Sequence, residues 1–267
     1  MRPALIAVDL DGTLLADDKS IPPTNQAAVD RAAELGIPFV IATGRPPRWL
    51  GAIDGLRGAY RLVVACNGAA IYDLPANTLV WQARMDPEVV LAAIEALRAA
   101  IPGITFGVEN SFDFGCEAGS PIEQFEDWGA WSGPIAEIVA TCQPIVKVLG
   151  FHKDFKSDEL IQLAKPVIGD SMSLTHASMG EPFGLLELTA AGVSKATGLA
   201  QVCAGLGIPA SQVAAFGDMP NDLAMLGWAG MPFIMEHSHP DVLASGFPSA
   251  GANSSGGVGA TVLELLA

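Results

Sequence analysis

The sequence contains few cysteines and no long apolar run, and both features limit what the protein can be. Four cysteines occur among 267 residues, and they lie far apart with no CxxC spacing. A disulfide framework or a structural zinc site is therefore not expected. No apolar stretch approaches the roughly 20 residues that a bilayer-crossing helix needs. The apolar residues 3–8 are too few, and lack the cleavage pattern, for a signal peptide.

Positive charge is also scarce. Lysine and arginine together number 14 against 29 acids, so the formal net charge is −15. Such a surface repels nucleic acid and anionic lipid, and no basic cluster offsets it, so neither is expected as a partner. Half of the residues are hydrophobic, which indicates a folded globular protein. Composition therefore predicts a soluble, cytoplasmic protein that contacts neither nucleic acid nor membrane, and it leaves the oligomeric state open.

The first third of the chain alternates between buried-strand and helix patterns. These segments are a strand at Ala4–Val8, a helix at Thr24–Leu35 capped by Thr24, a strand at 37–43, a helix at Arg48–Leu56 and a strand at 61–67. Apolar strands separated by helices are typical of a parallel sheet with crossover connections. The same alternation returns after Val193, with a strand at 212–218 and a helix from Asn221. The chain thus begins and ends in one α/β pattern.

Between these two parts the pattern changes. An amphipathic helix follows Met85, and several short strands occupy the middle third in a less regular order. We predict an outer domain formed by residues 1–83 and 189–267, with a second α/β domain, residues 84–188, inserted into it.

Polar residues follow the predicted strands of the outer domain. They are Asp9, Asp11 and Gly12 after the first strand, Thr43, Gly44 and Arg45 after the second, Asn67 and Gly68 after the third, and Asp218, Asn221 and Asp222 after the strand in the last third. Lys195 begins the helix before that last strand. The carboxyl ends of parallel strands share one edge of the sheet, and ligands bind there. We therefore expect these side chains to converge.

Their chemistry suits a metal ion and a phosphate. The carboxylates of Asp9, Asp11, Asp218 and Asp222 cannot all ionise in one cleft without a counter-charge. Oxygen ligands favour Mg²⁺, which also attracts phosphate. Lys195 could balance a phosphoryl group, and a carboxylate could attack it to form an aspartyl-phosphate. In a strand-like stretch, residues 9 and 11 would face the same way.

Four segments in this order resemble the motifs of the haloacid dehalogenase-like hydrolases. They are DLDGT at 9–13, TGR at 43–45, GVSK ending at Lys195, and GDMPND at 217–222. The chain is most similar to the Cof-type phosphatases, which carry a large inserted α/β cap of type IIB. The motifs cover the outer domain, whereas the middle part resembles the cap only in size, position and element order. The resemblance implies a Rossmann-like parallel-sheet core with an inserted cap domain.

The resemblance also implies a role for each acid. Asp9 would be the nucleophile that attacks phosphorus. Asp11 would protonate the leaving oxygen and later deprotonate the attacking water, while its backbone carbonyl binds Mg²⁺. Asp9 and Asp218 would be carboxylate ligands of that ion, and Asp222 would bind it or orient one of its waters.

The remaining motif residues would hold the substrate. Thr43 and Lys195 would bind the phosphoryl oxygens, and the Lys195 ammonium would also offset charge beside Asp9. Gly44 would let backbone N–H groups approach the same anion, and Arg45 and Asn221 would contact the substrate on its phosphate side.

Structural explanations stay open for several of these residues. Thr43 could cap the following element, and Arg45 could equally form a surface ion pair. Asp222 could be an ordinary acid in a first helical turn, whereas a lysine at position 195 opposes the helix dipole and favours a functional role. The family often has a Gly-Asn-Ala loop after its last strand, where this chain has MEHSHPDV at 235–242. No role is therefore assigned to His237 or His239.

We expect a Mg²⁺-dependent phosphatase that acts on a small phosphorylated metabolite, plausibly a sugar phosphate. Two alternatives remain. A phosphohexomutase-type phosphotransferase shares the aspartate nucleophile, and a non-catalytic phosphoacceptor or phosphate-binding module would need no general acid at position 11. Which residues of the middle domain set specificity is not readable from the sequence.

Overall fold

The computed structural model describes residues 2–124, 129–177 and 183–267. Within these ranges the strands are β1 (Leu5–Val8), β2 (Phe39–Ile41), β3 (Leu62–Ala65), β4 (Ala70–Asp73), β5 (Thr78–Gln82), β6 (Thr105–Glu109), β7 (Phe114–Cys116), β8 (Trp131–Ser132), β9 (Lys147–His152), β10 (Met172–Thr175), β11 (Gly184–Ala190), β12 (Val213–Gly217) and β13 (Met231–Ile234). The helices are α1 (Pro23–Glu34), α2 (Pro87–Ala100), α3 (Ile135–Thr141), α4 (Ser157–Ile168), α5 (Lys195–Leu206), α6 (Leu223–Trp228), α7 (Pro240–Leu243) and α8 (Gly257–Leu265).

The chain divides into two compact units. The first comprises Met1–Trp81 and Ser194–Ala267, and the second comprises Gln82–Val193. The predicted fold class, α/β with a parallel-sheet core and an inserted α/β module, is confirmed. No helix in the described ranges is long and apolar enough to cross a membrane.

A parallel sheet in the order β13-β12-β1-β2 forms the centre of the first unit. All four residues of β1 are fully buried, as expected for an apolar strand covered on both faces. A parallel bridge between Ala42 and Val64 continues the order from β2 to β3. The carboxyl ends of β12, β1, β2 and β3 are therefore neighbours, and the motif residues follow these ends.

The helices α1 and α8 pack together and so connect the first and last parts of this unit. Asn25 of α1 forms hydrogen bonds to both parts. Its Nδ2 donates to the Leu14 carbonyl at 2.7 Å, and its Oδ1 accepts from the Gly259 N–H of α8 at 2.7 Å. A Cβ at position 259 would lie 2.3 Å from the Thr24 carbonyl oxygen, so only glycine permits this approach.

Three predicted helix positions were wrong in detail. The first helix begins at Pro23 and not after a Thr24 cap, because proline suits the first helical position. Arg48–Leu56 is not an α-helix, since a 3₁₀ helix covers Pro47–Ile53 in a segment rich in proline and glycine. A 3₁₀ turn, Pro220–Asp222, precedes α6, so that helix starts at Leu223.

The second unit is a six-stranded sheet in the order β10-β11-β9-β6-β7-β8, antiparallel except between β7 and β8. One face packs against apolar residues of α2, α3 and α4. Strand alternation puts Glu109, Lys147 and Glu187 on the opposite face, where all three are buried. Lys147 Nζ donates to Glu187 Oε1 at 2.9 Å.

Candidate active site

The chain turns sharply after β1, and this turn determines where the side chains of Asp9 and Asp11 lie. Leu10–Leu14 forms a π-helical turn in which the Leu14 N–H donates to the Asp9 carbonyl at 3.2 Å. The strand thus ends at Val8, and two-residue alternation does not extend to Asp11. Gly12 has a φ of +78°, and a Cβ there would lie 2.4 Å from Asp218 Oδ2. Glycine is therefore required both by the backbone and by the nearby carboxylate.

The Lys195 ammonium forms ion pairs with one aspartate from the first strand–turn segment and one from the GDMPND segment. Ser194 caps α5 through a reciprocal pair of hydrogen bonds with Thr197, and this cap places Lys195 in the first turn. Its Nζ donates to Asp9 Oδ1 at 2.5 Å and to Asp222 Oδ1 at 2.7 Å. The lysine side chain is fully buried. A buried ammonium held by two carboxylates is a built feature and not a solvated surface lysine.

The GDMPND segment folds around Asp222. Its Oδ2 accepts from the backbone N–H groups of Asp218 and Met219 at 3.1 and 3.0 Å. A Cβ at Gly217 would lie 2.5 Å from the Asp222 side chain, so glycine allows the close turn. Asp218 Oδ1 accepts from Thr13 Oγ1 at 2.7 Å, which connects this segment to the turn after β1.

Asp9, Asp218 and Asp222 form a buried acidic cluster, with carboxylate oxygens within 4.8 Å of one another. Burial raises the pKa of Asp9 well above its usual range; Lys195 opposes this, and the charges of Asp222 and Asp218 add to it. Burial, and then the charge of Asp222, raise the pKa of Asp218 to about 7. Burial alone would lower the pKa of Lys195, but Asp222 and Asp9 outweigh it and raise that pKa. One ammonium does not balance three carboxylates.

The donor set of this cluster fits a magnesium ion. Among the described residues, no protein donor binds Asp9 Oδ2 or Asp218 Oδ2, whereas the other oxygens of the cluster accept from Lys195, Thr13 or backbone N–H groups. Two carboxylate oxygens with the rest supplied by water is the ligand pattern that Mg²⁺ favours. A divalent cation would also remove the excess negative charge.

The raised pKa of Asp218 predicts how pH changes the stability of the metal-free protein. The pKa of this carboxyl is 3.8 in the unfolded chain and about 7 in the folded protein. The protonated carboxyl therefore stabilises the folded state fully below pH 3.8, and this stabilisation is lost as the pH rises through 7. We expect the Tm in chelator to fall between about pH 4 and pH 7, and Mg²⁺ to raise the Tm more at the higher pH. Differential scanning calorimetry measures both effects.

Asp218→Asn should weaken this pH dependence, because the amide does not ionise, whereas the raised pKa of Asp9 leaves the contribution of that carboxyl in place. The matched control is Asp54→Asn, which neutralises an exposed acid outside the cluster. A wild-type Tm that changes with pH to the same extent as that of the Asp218→Asn protein would contradict the assignment.

Asp11 lies apart from the buried cluster and is bound by cations. Its side chain is 39% exposed. Arg45 donates two hydrogen bonds to this carboxylate, from Nε to Oδ2 at 2.6 Å and from Nη2 to Oδ1 at 2.7 Å. Lys19 Nζ donates to Oδ1 at 2.8 Å. Burial would raise the pKa of Asp11, but the hydrogen bonds and charge of Arg45, followed by those of Lys19, lower it to about 2. Asp11 is thus ionised here, and Arg45 forms an ion pair, which sequence reasoning left open.

Thr43 and Gly44 lie beside two asparagines. Thr43 is buried, and its Oγ1 accepts from the Arg45 N–H at 3.1 Å. A Cβ at Gly44 would lie 3.0 Å from Asn67 Oδ1 and 3.6 Å from Asn221 Nδ2. Asn221 Nδ2 donates to Asn67 Oδ1 at 2.9 Å. Asn221 thus contacts the 3₁₀ turn that follows β3, which its sequence position next to Asp222 did not indicate.

The loop after β13 also contacts the site, although its residues were assigned no role from sequence. His237 Nε2 donates to the Gly12 carbonyl at 2.9 Å, and the His239 N–H donates to the Asp218 carbonyl at 2.9 Å. His239 Nδ1 accepts from the Asp241 N–H and caps α7. The only available signal was position, since this loop follows a strand of the same sheet edge.

Known proteins resemble this chain over most of its length. A family model for the haloacid dehalogenase-like hydrolases matches residues 6–261. The 5-amino-6-(5-phospho-D-ribitylamino)uracil phosphatase YbjI of Escherichia coli (strain K12) is 30% identical over 268 residues, which cover 95% of this chain and 93% of that protein. A phosphatase of the same name, YwtE from Bacillus subtilis (strain 168), is 29% identical over 290 residues, or 98% and 97% of the two chains.

A solved structure shares the fold. A sugar phosphatase of haloacid dehalogenase subclass IIB superposes with a TM-score of 0.82 at 20% identity, covering 97% of this chain and 98% of that one. At this level of identity the likeness concerns the fold alone.

Proposed function

This chain belongs to the haloacid dehalogenase-like hydrolases and is a phosphatase of small phosphorylated substrates, and from that premise we propose a Mg²⁺-dependent reaction through an aspartyl-phosphate on Asp9. One observation carries the proposal. The Lys195 ammonium bridges Asp9 and Asp222 inside a buried cluster at the carboxyl edge of the sheet. Burial of three carboxylates around one ammonium costs free energy. The charges of a bound metal and a bound phosphate would offset that cost, as is typical of a functional site.

In the first step, a carboxylate oxygen of Asp9 attacks phosphorus, and the bond from phosphorus to the ester oxygen breaks. Lys195 donates to Asp9 Oδ1 and so fixes the orientation of the attacking carboxylate. Asp9, Asp218 and the Asp11 carbonyl would hold a Mg²⁺ ion, whose positive charge would let two anions approach each other. Thr43, the Gly44 N–H and Lys195 would bind the phosphoryl oxygens.

Asp11 would act as the general acid in the first step and as the general base in the second. The leaving oxygen takes a proton from Asp11; water then attacks the phosphoenzyme, and Asp11 takes the proton as phosphate leaves Asp9. The ion pairs with Arg45 and Lys19 keep Asp11 ionised, so these pairs must open and Asp11 must take a proton from solvent before the first step. We propose that the substrate competes for Arg45 and thereby releases Asp11.

The proposed substrate class is a sugar or polyol phosphate. Two of the relatives are named for a substrate with a phosphorylated ribityl chain. Their leaving groups share a hydroxylated carbon chain, and this feature supports the class.

Phosphate release from a panel of phosphorylated metabolites tests the function. We expect inorganic phosphate with Mg²⁺ present and a loss of at least about a hundredfold in rate with chelator, because the charge of the metal stabilises the transition state. p-Nitrophenyl phosphate is included as a substrate without hydroxyl groups. Isomerised sugar phosphate in place of free phosphate would indicate a mutase, and binding of phosphate without any turnover would indicate a phosphate-binding module.

A further inference from the structure

The carbonyl of Gly12 is held by a side chain from outside the turn that contains it. His237 Nε2 lies 2.9 Å from this carbonyl oxygen, and because a carbonyl has no hydrogen to give, Nε2 carries the proton and donates. Gly12 has a φ of +78° and no side chain, so its backbone is conformationally free compared with that of its neighbours. The hydrogen bond from His237 therefore restrains the turn at the position where the turn restrains itself least.

This hydrogen bond is part of a ring of contacts between the turn after β1 and the segment after β12. The Thr13 hydroxyl, next to Gly12, donates to Asp218 Oδ1 at 2.7 Å. The His239 N–H donates to the Asp218 carbonyl at 2.9 Å. Together the contacts close a ring through five residues: Gly12, His237, His239, Asp218 and Thr13. The loop after β13 thus connects two segments that carry acids of the buried cluster.

The loop that presents His237 is itself held in place. Ser238 is buried; its N–H donates to the Met235 carbonyl at 3.1 Å, and its Oγ accepts from the Met235 N–H at 3.0 Å. His237 is exposed, so burial in the core does not explain its position. The imidazole therefore projects from a fixed loop, and it donates to the Gly12 carbonyl.

The ring controls the spacing of the oxygens that would bind the metal. A Cβ at Gly12 would lie 2.4 Å from Asp218 Oδ2, so the turn and this carboxylate are already in close contact. Asp9 lies three residues before Gly12, and the Asp11 carbonyl belongs to the peptide that precedes Gly12. A shift of the turn therefore moves the oxygens of Asp9 and Asp11 relative to Asp218. Loss of a group that orients metal ligands typically lowers metal affinity or activity by about tenfold to a hundredfold.

We propose that His237 is a positioning residue, which holds the turn after β1 against Asp218 and so fixes the geometry of the Mg²⁺ ligands. This role rests on the proposed phosphatase function, and it uses only the Nε2–H donor of the imidazole. A contact that served the fold alone would change the Tm and leave metal binding and kcat as they are.

Three substitutions at His237 separate the donor from the rest of the side chain. His237→Phe keeps a ring and removes the donor, and His237→Ala removes both. His237→Gln restores an N–H donor at nearly the position of Nε2. The matched control is Glu236→Gln, which changes an exposed neighbour on the same loop.

Each protein is characterised by three measurements: the Kd of Mg²⁺ by calorimetry without substrate, kcat and KM for p-nitrophenyl phosphate at saturating Mg²⁺, and amide hydrogen exchange of residues 10–14 without metal. For His237→Phe and His237→Ala we expect a Kd about tenfold higher and a kcat about tenfold lower, with KM within about twofold. Exchange should be faster, because the turn has lost a restraint. The Tm should change by no more than about 2 °C, since the side chain is exposed.

Rescue by the conservative variant decides between a donor and a space-filling side chain. His237→Gln should regain most of the wild-type Kd, kcat and exchange rate, and Glu236→Gln should match the wild type throughout. Wild-type Mg²⁺ affinity and kcat in His237→Phe would overturn the proposal, as would a His237→Gln protein as impaired as His237→Phe. A rise in KM alone also rejects it, because that result indicates direct contact with substrate.

Hydrogen exchange separates this proposal from the function on which it rests, because it needs neither metal nor substrate. A wild-type protein that binds no Mg²⁺ and releases no phosphate would contradict the proposed function. The hold on the turn would still be supported if exchange of residues 10–14 rose in His237→Phe and returned to the wild-type rate in His237→Gln. Equal exchange rates in all variants would reject it.

Discussion

Asp9→Asn should reduce phosphate release by at least about a thousandfold and leave the protein folded, because an amide oxygen is a poor nucleophile toward phosphorus. The amide still accepts a hydrogen bond from Lys195, so the contact that is 2.5 Å long in the native site remains available. Burial raises the pKa of Asp9, so loss of its charge does not threaten the fold. Release of phosphate in the presence of Mg²⁺ measures the rate, and circular dichroism measures the fold.

A covalent intermediate provides an independent measurement of the same residue. Rapid acid quenching of the wild-type protein should trap one phosphoryl group that hydroxylamine removes, and Asp9→Asn should trap none. Asp54→Asn is the control for loss of one carboxylate, since Asp54 is exposed. Turnover by Asp9→Asn near the wild-type rate would exclude Asp9 as the nucleophile.

Lys195→Met should both destabilise and inactivate the protein. The substitution removes the ammonium that pairs with Asp9 and Asp222, and it leaves their charges buried together. Breaking a buried ion pair from one side destabilises a protein by about 3–5 kcal/mol. For a domain of this size we expect a fall in Tm on the order of 10 °C, measured by calorimetry in chelator.

A charge-balanced double variant separates the two effects. Lys195→Met with Asp222→Asn removes one charge of each sign, so it should recover much of the lost Tm but none of the phosphate release. Lys153→Met is the matched single control, because Lys153 is exposed. A Lys195→Met protein with the wild-type Tm would mean that the pair contributes no net stability.

The parallel sheet and its acidic edge were predictable because both depend on local patterns. Buried apolar runs indicated parallel strands, and residues that follow such strands must meet at one edge. That rule predicted a place at this edge for Asp9, Thr43 and Asp218. Their catalytic roles remain proposals, since they rest on resemblance to the family.

Contacts that depend on side-chain rotation or on irregular turns were not predictable. The expectation that residues 9 and 11 face the same way assumed that β1 continues, but the chain enters a π-helical turn after Val8. Asp11 consequently meets Arg45, and no periodicity encodes that pairing. The Asn67–Asn221 contact joins residues 154 positions apart in the chain, and each asparagine alone resembles an ordinary turn residue.

The central position of β1 also determines when the protein can become active during its synthesis. β1 pairs with β2 on one side and with β12 on the other, so its second edge stays open until residues 213–217 have left the ribosome. At about 5–20 residues per second, this wait lasts on the order of ten to forty seconds. Throughout it an apolar strand has an unpaired backbone edge, which is a template for association with other chains. The charged centre, whose Asp9 and Lys195 lie 186 positions apart, is therefore among the last features to form.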